Sequence, residues 1–193
     1  MRQEGRAFAA IALGLALLSG PAAAQWDIRT TAVSDYVEAN VRPWIEDPAI
    51  VNAILAQNAV HAGLDQKEIN ALDRRWRDEL GKAERPLVDT LLSNPLSLHL
   101  KDRQRAAGGL ITEIFVMDNR GLNVGQSDVT SDYWQGDEAK WQKSVQTDRI
   151  HIDEAGRDES TLLMQSQASL PIHDPRTGAV IGAITVGVNL DAL

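Results

Sequence analysis

The sequence predicts an α+β fold in which N-terminal helices pack on one face of a five-stranded antiparallel sheet. Apolar residues recur at spacings of three and four through the first half of the chain. From Leu110 the period changes to that of strands, and the strand-like segments are apolar on one side. The 193 residues include no cysteine. Disulfides, thiolate catalysis and Cys-ligated metal are therefore excluded together, and the fold must rest on its core.

The first element is read as a leader rather than structure. Arg2 and Arg6 form a basic start, Ala7 to Leu18 an apolar run, and Ala22-Ala23-Ala24 a small-residue cleavage site. The run is about a dozen residues where a spanning helix needs about 20, so residues 1–24 are expected to be a cleaved signal peptide. With no Cys at the cleavage site, lipidation there is excluded. One domain is expected over 25–193, with a helical segment over 25–109 and the sheet over 110–193.

The helical segment follows from periodicity and caps. Val33, Tyr36, Val37, Val41, Trp44 and Ile45 form one stripe, interrupted at Pro43. Asp47-Pro48 restarts a helix, with Asp47 as cap and Pro48 at the position where a missing N–H costs nothing; Ile50, Val51, Ile54 and Leu55 form its stripe. Asp65 with Glu68 makes a capping box for a third helix carrying Ile69, Leu72, Trp76 and Leu80 before Gly81. A shorter helix is expected from Pro86 to Leu92.

Strands follow at Leu110 to Asp118 and Leu122 to Gln126, joined by the turn Asp118-Asn119-Arg120-Gly121. The segment from Ser127 to Thr147 lacks alternation and is expected as an excursion with a helical turn or two around Asp137 to Ser144. Arg149 to Asp153, Thr161 to Ile172 and Ala179 to Leu190 complete a five-stranded meander. Alternation in the last strand places Val180, Ile184, Val186 and Val188 on one face and Ile181, Ala183, Thr185 and Gly187 on the other. In the preceding strand Ala168, Leu170 and Ile172 oppose Gln165, Gln167 and Ser169. The sheet thus has an apolar back for the helices and a mixed front for the excursion over 127–147 to roof.

This organisation resembles the extracytoplasmic Cache sensor domains, the PAS-like modules of chemoreceptors and sensor kinases. The resemblance is carried by DPAIV at 47–51, IFVMDNRG at 114–121, SDYWQGDEAKW at 131–141 and GAVIGAI at 178–184. It implies that a long helix packs on one sheet face and that a small metabolite binds between the other face and the segment roofing it. Such sensors usually sit between two membrane helices, whereas here no apolar span follows Asp191. The expectation is therefore a free-standing periplasmic member that passes its occupancy to a separate partner, a membrane-bound sensor kinase or receptor.

Tyr133, Trp134 and Trp141 are expected to line the pocket, being rings with polar handles on a surface segment. Asp137 and Lys140, with Asp132 nearby, are candidates for binding an ammonium or a carboxylate. Phe115, Met117, Gln165, Gln167 and Thr185 are assigned to the sheet front by alternation, an assignment that a shift of one residue would invert. Histidines 61, 99, 151 and 173 lack the spacing of a zinc site, and Asp118, Asn119, Asp128 and Asp132 lack that of a calcium loop. Neither a nucleophile elbow nor an acid–base pair in a cleft is evident, so no catalytic residue, metal or cofactor is assigned and the chain is read as a non-enzyme.

The formal charge of −8 repels nucleic acid and anionic lipid; the leader carries two arginines and one glutamate, so the remainder stands at −9. The expected function is recognition of a small polar metabolite, an organic acid or amino acid. The alternative is an interaction module without a ligand, which dimerises through the N-terminal helix or docks on a membrane sensor.

Overall fold

The computed structural model describes residues 21–157 and 163–193, with side chains from residue 28. The apolar run and basic residues of the expected leader lie outside the described residues, as does the start of the strand expected from Thr161.

Helix α1 (Pro21–Asn40) ends before a 3₁₀ turn, Arg42–Glu46, that contains Pro43. Val33, Val37 and Val41, four residues apart, are all fully buried, so the interrupted stripe is one packing face. Helix α2 (Pro48–His61) begins where Asp47 accepts the Ala49 N–H at 2.9 Å. Helix α3 (Gln66–Glu79) opens with the reciprocal Asp65–Glu68 capping box, and α4 (Pro86–Ser93) follows. Glu79 closes the α3–α4 corner by accepting the backbone N–H of Leu87 at 2.7 Å and of Val88 at 3.2 Å. Helix α5 (Pro95–Ala106) has no counterpart among the expected elements; Asn94 caps it by accepting the Ser97 N–H at 2.7 Å.

The strands are β1 (Ile111–Asp118), β2 (Asn123–Gln126), β3 (His151–Ile152), β4 (Gly156–Arg157), β5 (Met164–His173) and β6 (Val180–Asn189), with helix α6 (Ala139–Val145) between β2 and β3. Every pairing is antiparallel. The order is β2-β1-β6-β5-β3, with β4 also on β5. The expected meander is thus corrected in its order: the C-terminal strand inserts between β1 and β5, and the described residues form six strands, two of them of two residues each.

The fold is α+β, with the main core between the back of the sheet and helices α1, α2 and α5. It gathers Val33, Ile50, Ile54, Leu100, Ile114, Val116, Leu170, Ile184, Val186 and Val188, among others. A second core joins α3 and α4 to the excursion through Ile69, Trp76, Val88, Leu91, Leu122 and Tyr133. Alternation placed most of the sheet correctly, but two of the three register shifts among the described strands alter the expected faces. The register shift beside Ile172 turns Ile181 into the helix-facing core and leaves Val180 partly exposed, reversing the expected faces of that pair. A shift between Ile111 and Glu113 spends one extra residue of β1, which places Thr112 beside Glu113 on the front.

Candidate ligand-binding site

The front of the sheet is divided between a packed half and an open half. Two rows run across β1, β6 and β5 near the hairpin turn: Met117, Ala183 and Pro171, then Phe115, Thr185 and Ser169. Helix α6 covers this end, Trp141 and Val145 packing on Phe115, Met117 and Ala183. The hydroxyls of Thr185 and Ser169, both fully buried, satisfy one another at 2.8 Å. One row further on stand Glu113, Gly187 and Gln167, followed by Gln165 opposite Asn189. A cavity of about 740 Å³ opens above these, within the usual range for small-molecule sites.

Glycine at 187 permits this floor. A β-carbon there would stand 2.2 Å from Thr112 Oγ1, 3.0 Å from Glu113 Cγ and 3.1 Å from Gln165 Oε1. In its absence side chains from β1 and β5 meet over β6. Gln167 Nε2 donates to Glu113 Oε1 at 2.8 Å and Gln165 Nε2 donates to the same oxygen at 3.3 Å. The Thr112 hydroxyl donates to Gln165 Oε1, which turns that amide's N–H₂ toward Glu113.

The roof is Asp128, Val129, Thr130, Ser131 and Gln135, with Lys140 from α6 and Gln104 from α5. It is tied from behind to α3. Asp73, almost fully buried, accepts the backbone N–H groups of Tyr133 and Trp134, each at 3.0 Å, and pairs with Arg77. Trp76 Nε1 donates to the Thr130 carbonyl at 2.9 Å. Gln104 Nε2 donates to Asp128 at 2.7 Å, joining roof to α5. The side wall is Asp153, Glu154, Gly156 and Arg157; His151 fixes Asp153 at 2.8 Å.

Of the residues proposed from sequence, Phe115, Lys140, Gln165 and Gln167 stand at the cavity wall. Lys140 reaches across the Phe115 ring, its Nζ 5.4 Å from the centroid, and pairs with Glu138 at 3.0 Å. The other six lie elsewhere. Tyr133 stacks on Trp76 at 5.6 Å, and burial, reinforced by the Asp118 carboxylate, holds its phenol well above the ordinary value. Trp134 and Trp141 donate their indole N–H groups to the carbonyls of Arg120 (2.7 Å) and Asp118 (3.2 Å), pinning the excursion to the hairpin turn. Met117 and Thr185 are sealed in the packed half, and Asp137 is exposed outside the lining.

Sequence reasoning passed over Gln104, Thr112, Glu113, Asp128 to Ser131, Gln135 and the wall from Asp153 to Arg157. For Glu113 a signal existed, since it shares the parity of Phe115 and Met117 on β1. Each of the four histidines lies within 3.0 Å of an aspartate: His61 on Asp118, His99 on Asp47, His151 on Asp153 and His173 on Asp148. Among the described residues no three acidic or His groups converge as a metal site.

The sensor domain of the V. cholerae histidine kinase DctB superposes on this chain with a TM-score of 0.51 at 12% identity, over 88% of this chain and 54% of that one. The chain has the fold of a Cache-type sensor domain. Lower similarity extends to the ligand-binding domain of the Campylobacter jejuni chemoreceptor Tlp3 in complex with 4-methylisoleucine (TM-score 0.42, 15% identity, 85% of this chain and 55% of that one). It extends also to that of the Pseudomonas aeruginosa amino acid chemoreceptor PctC in complex with GABA (0.41, 12%, 88% and 60%). This chain therefore spans little more than half the length of these Cache-fold structures. No protein-family profile matches the sequence, and no curated protein matches it. Among the described residues no helix is long and apolar enough to cross a membrane.

Proposed function

We propose that this chain is a periplasmic sensor domain that binds a small polar metabolite, an organic acid or amino acid, in the cavity over Glu113, Gly187 and Gln167. It does so without turnover and passes its occupancy to a separate membrane-bound partner. In this reading residues 1–24 are a leader, and the remainder is one binding domain. The observation that carries it is the open half of the sheet front, about 740 Å³ lined by convergent amides, carboxylates, hydroxyls and two cations. Phe115, Lys140, Gln165 and Gln167 are the site residues common to the sequence reading and the cavity. The Cache fold supports the reading in so far as it places a sensor-type sheet under a roofed front.

The test is a melting screen of the purified exported protein, whose mass first shows whether it begins at Gln25. A compound that binds the native state alone at a hundredfold excess over its Kd contributes about 2.7 kcal/mol. For a domain of this size that raises Tm by about 5–11 °C. If no organic acid, amino acid or amine in the panel moves Tm, the cavity is not a metabolite site, and the interaction-module reading takes its place.

A further inference from the structure

We infer that the ligand is a small organic ammonium compound carrying more positive than negative charge, an aliphatic diamine or a basic amino acid, with its cationic nitrogen docked on Glu113. The inference rests on the cavity being a metabolite site, and it narrows the acid-or-amino-acid class to the basic end.

Charge is the first ground. Among the described lining residues four carboxylates, Glu113, Asp128, Asp153 and Glu154, face two cations, Lys140 and Arg157. Lys140 already answers Glu138 from outside the lining at 3.0 Å. A space walled mostly by carboxylates concentrates cations and disfavours a dianion.

Placement is the second. Glu113 stands on the floor, beside Gly187 in the open row, while Asp128 is on the roof and Asp153 on the side wall. Neutral donors are among the partners that orient those of the floor and roof. Gln165 and Gln167 hold Glu113, and Gln104 with the Ser127 hydroxyl (3.1 Å) holds Asp128. Such donors fix the direction of a carboxylate without neutralising it, and a carboxylate so aimed can form a charge-assisted bond to an ammonium. Three fixed carboxylates on three walls suit a ligand with more than one cationic end. The Phe115 ring at the border adds a face that attracts cations, as its contact with Lys140 already shows.

The experiment is calorimetric titration of the full chain with 1,4-diaminobutane, L-lysine, L-alanine and succinate, with wild type, Glu113→Gln, Asp153→Asn and Lys140→Met. The expected result is binding of the diamine or lysine in preference to alanine, and no binding of succinate. Glu113→Gln keeps the shape and removes the charge, so it should weaken the amine about 10- to 100-fold. Asp153→Asn should weaken it in the same direction, whereas Lys140→Met, which removes a cation from the cavity wall, should tighten it. Melting of each ligand-free variant separates lost binding from lost folding, and Asp153→Asn carries the test where Glu113→Gln does not fold. Succinate binding as tightly as the amines, or both carboxylate variants retaining wild-type amine affinity, overturns the inference and leaves the cavity reading intact. Binding of nothing in the broader metabolite panel overturns both.

Discussion

Two glycines of β6, five residues apart, should respond oppositely to the same substitution. At Gly182 an added β-carbon would stand 2.1 Å from the backbone carbonyl oxygen of Met117 on the neighbouring strand and 3.2 Å from Ile54 Cγ2 on α2. Neither the carbonyl, which belongs to the sheet, nor the helix behind it moves freely. Gly182→Ala therefore overpacks the join between sheet and α2, at a cost of about 1–3 kcal/mol or more. That lowers Tm by about 2–12 °C for a domain of this size. At Gly187 the β-carbon meets only side-chain atoms, Thr112 Oγ1, Glu113 Cγ and Gln165 Oε1, of residues that border the open cavity and have room to shift. Replacing a strand glycine regains about 0.5–1 kcal/mol of lost chain entropy, so Gly187→Ala should be near neutral in stability. It should nevertheless abolish the Gln–Glu bridge over β6 and with it ligand-induced stabilisation. Urea denaturation of both variants, beside Gly63→Ala where nothing lies within 4 Å of the added carbon, is the assay. Equal costs at 182 and 187, or a tolerated Gly182→Ala, would refute the division of β6 into a structural and a site glycine.

Two further outcomes are expected. Asp73→Ala removes the acceptor of two backbone amides at the root of the roof; it should cost about 3–6 kcal/mol, with Asp73→Asn costing less, because bonds to a charged acceptor contribute about 1.5–3 kcal/mol each. Hydrogen exchange should accelerate at Tyr133 and Trp134 in the Ala variant, and unchanged exchange there would deny Asp73 this role. Acid should also destabilise the fold. Burial raises the Asp47 carboxylate, but the Ala49 N–H, Arg103 and His99 together hold it below its ordinary 3.8. Burial likewise raises Glu79, which Arg75 and the Val88 and Leu87 N–H groups hold below 4.5. Depressed folded values mean stability that is complete above the ordinary values and lost as pH falls through the depressed ones. Tm should therefore decline below about pH 4.5, less steeply in Glu79→Gln, and a Tm flat from pH 5 to 3 would contradict the assignment.

The elements with helical or capping signals were legible because local chemistry and tertiary packing agree there. Asp47-Pro48 and the Asp65–Glu68 box mark helix starts that the structure reproduces. Helix α5 escaped because Leu96, Leu98 and Leu100 alternate with polar residues as in a strand. Only Leu96 and Leu100, four apart, are buried, and Leu98 is 52% exposed. Its cap, Asn94-Pro95, repeats the Asp47-Pro48 pattern. The front residues were legible by parity as far as the strands stay regular; a bulge at Thr112 or Ile181 leaves no mark in composition. The tryptophans of the excursion drew attention because large rings often line pockets. Here Trp134 and Trp141 use their polar handles on backbone carbonyls of the hairpin turn, so they hold the roof in place from outside the cavity. The wall from Asp153 to Arg157 had no signal, because loop carboxylates look the same whether they face solvent or a cavity.

The division of the sheet front keeps packing and cavity on separate rows of one surface. Trp141 and Val145 seal the rows of Phe115 and Met117, where every polar group finds a partner and the packing is apolar. The next row has Gly187 at its centre, so nothing fills it from within the sheet, and α6 ends its cover at Lys140 and Phe115. A substitution in the sealed rows creates a void or a clash and is read out as stability. A substitution at Glu113, Gln165 or Gln167 changes only which charges and hydrogen bonds face the cavity. Phe115 belongs to both halves, packed by Trp141 on one side and lining the cavity on the other. It is the contact between the cavity and α6, and α6 is joined through Trp141 to the Asp118 carbonyl and the hairpin turn.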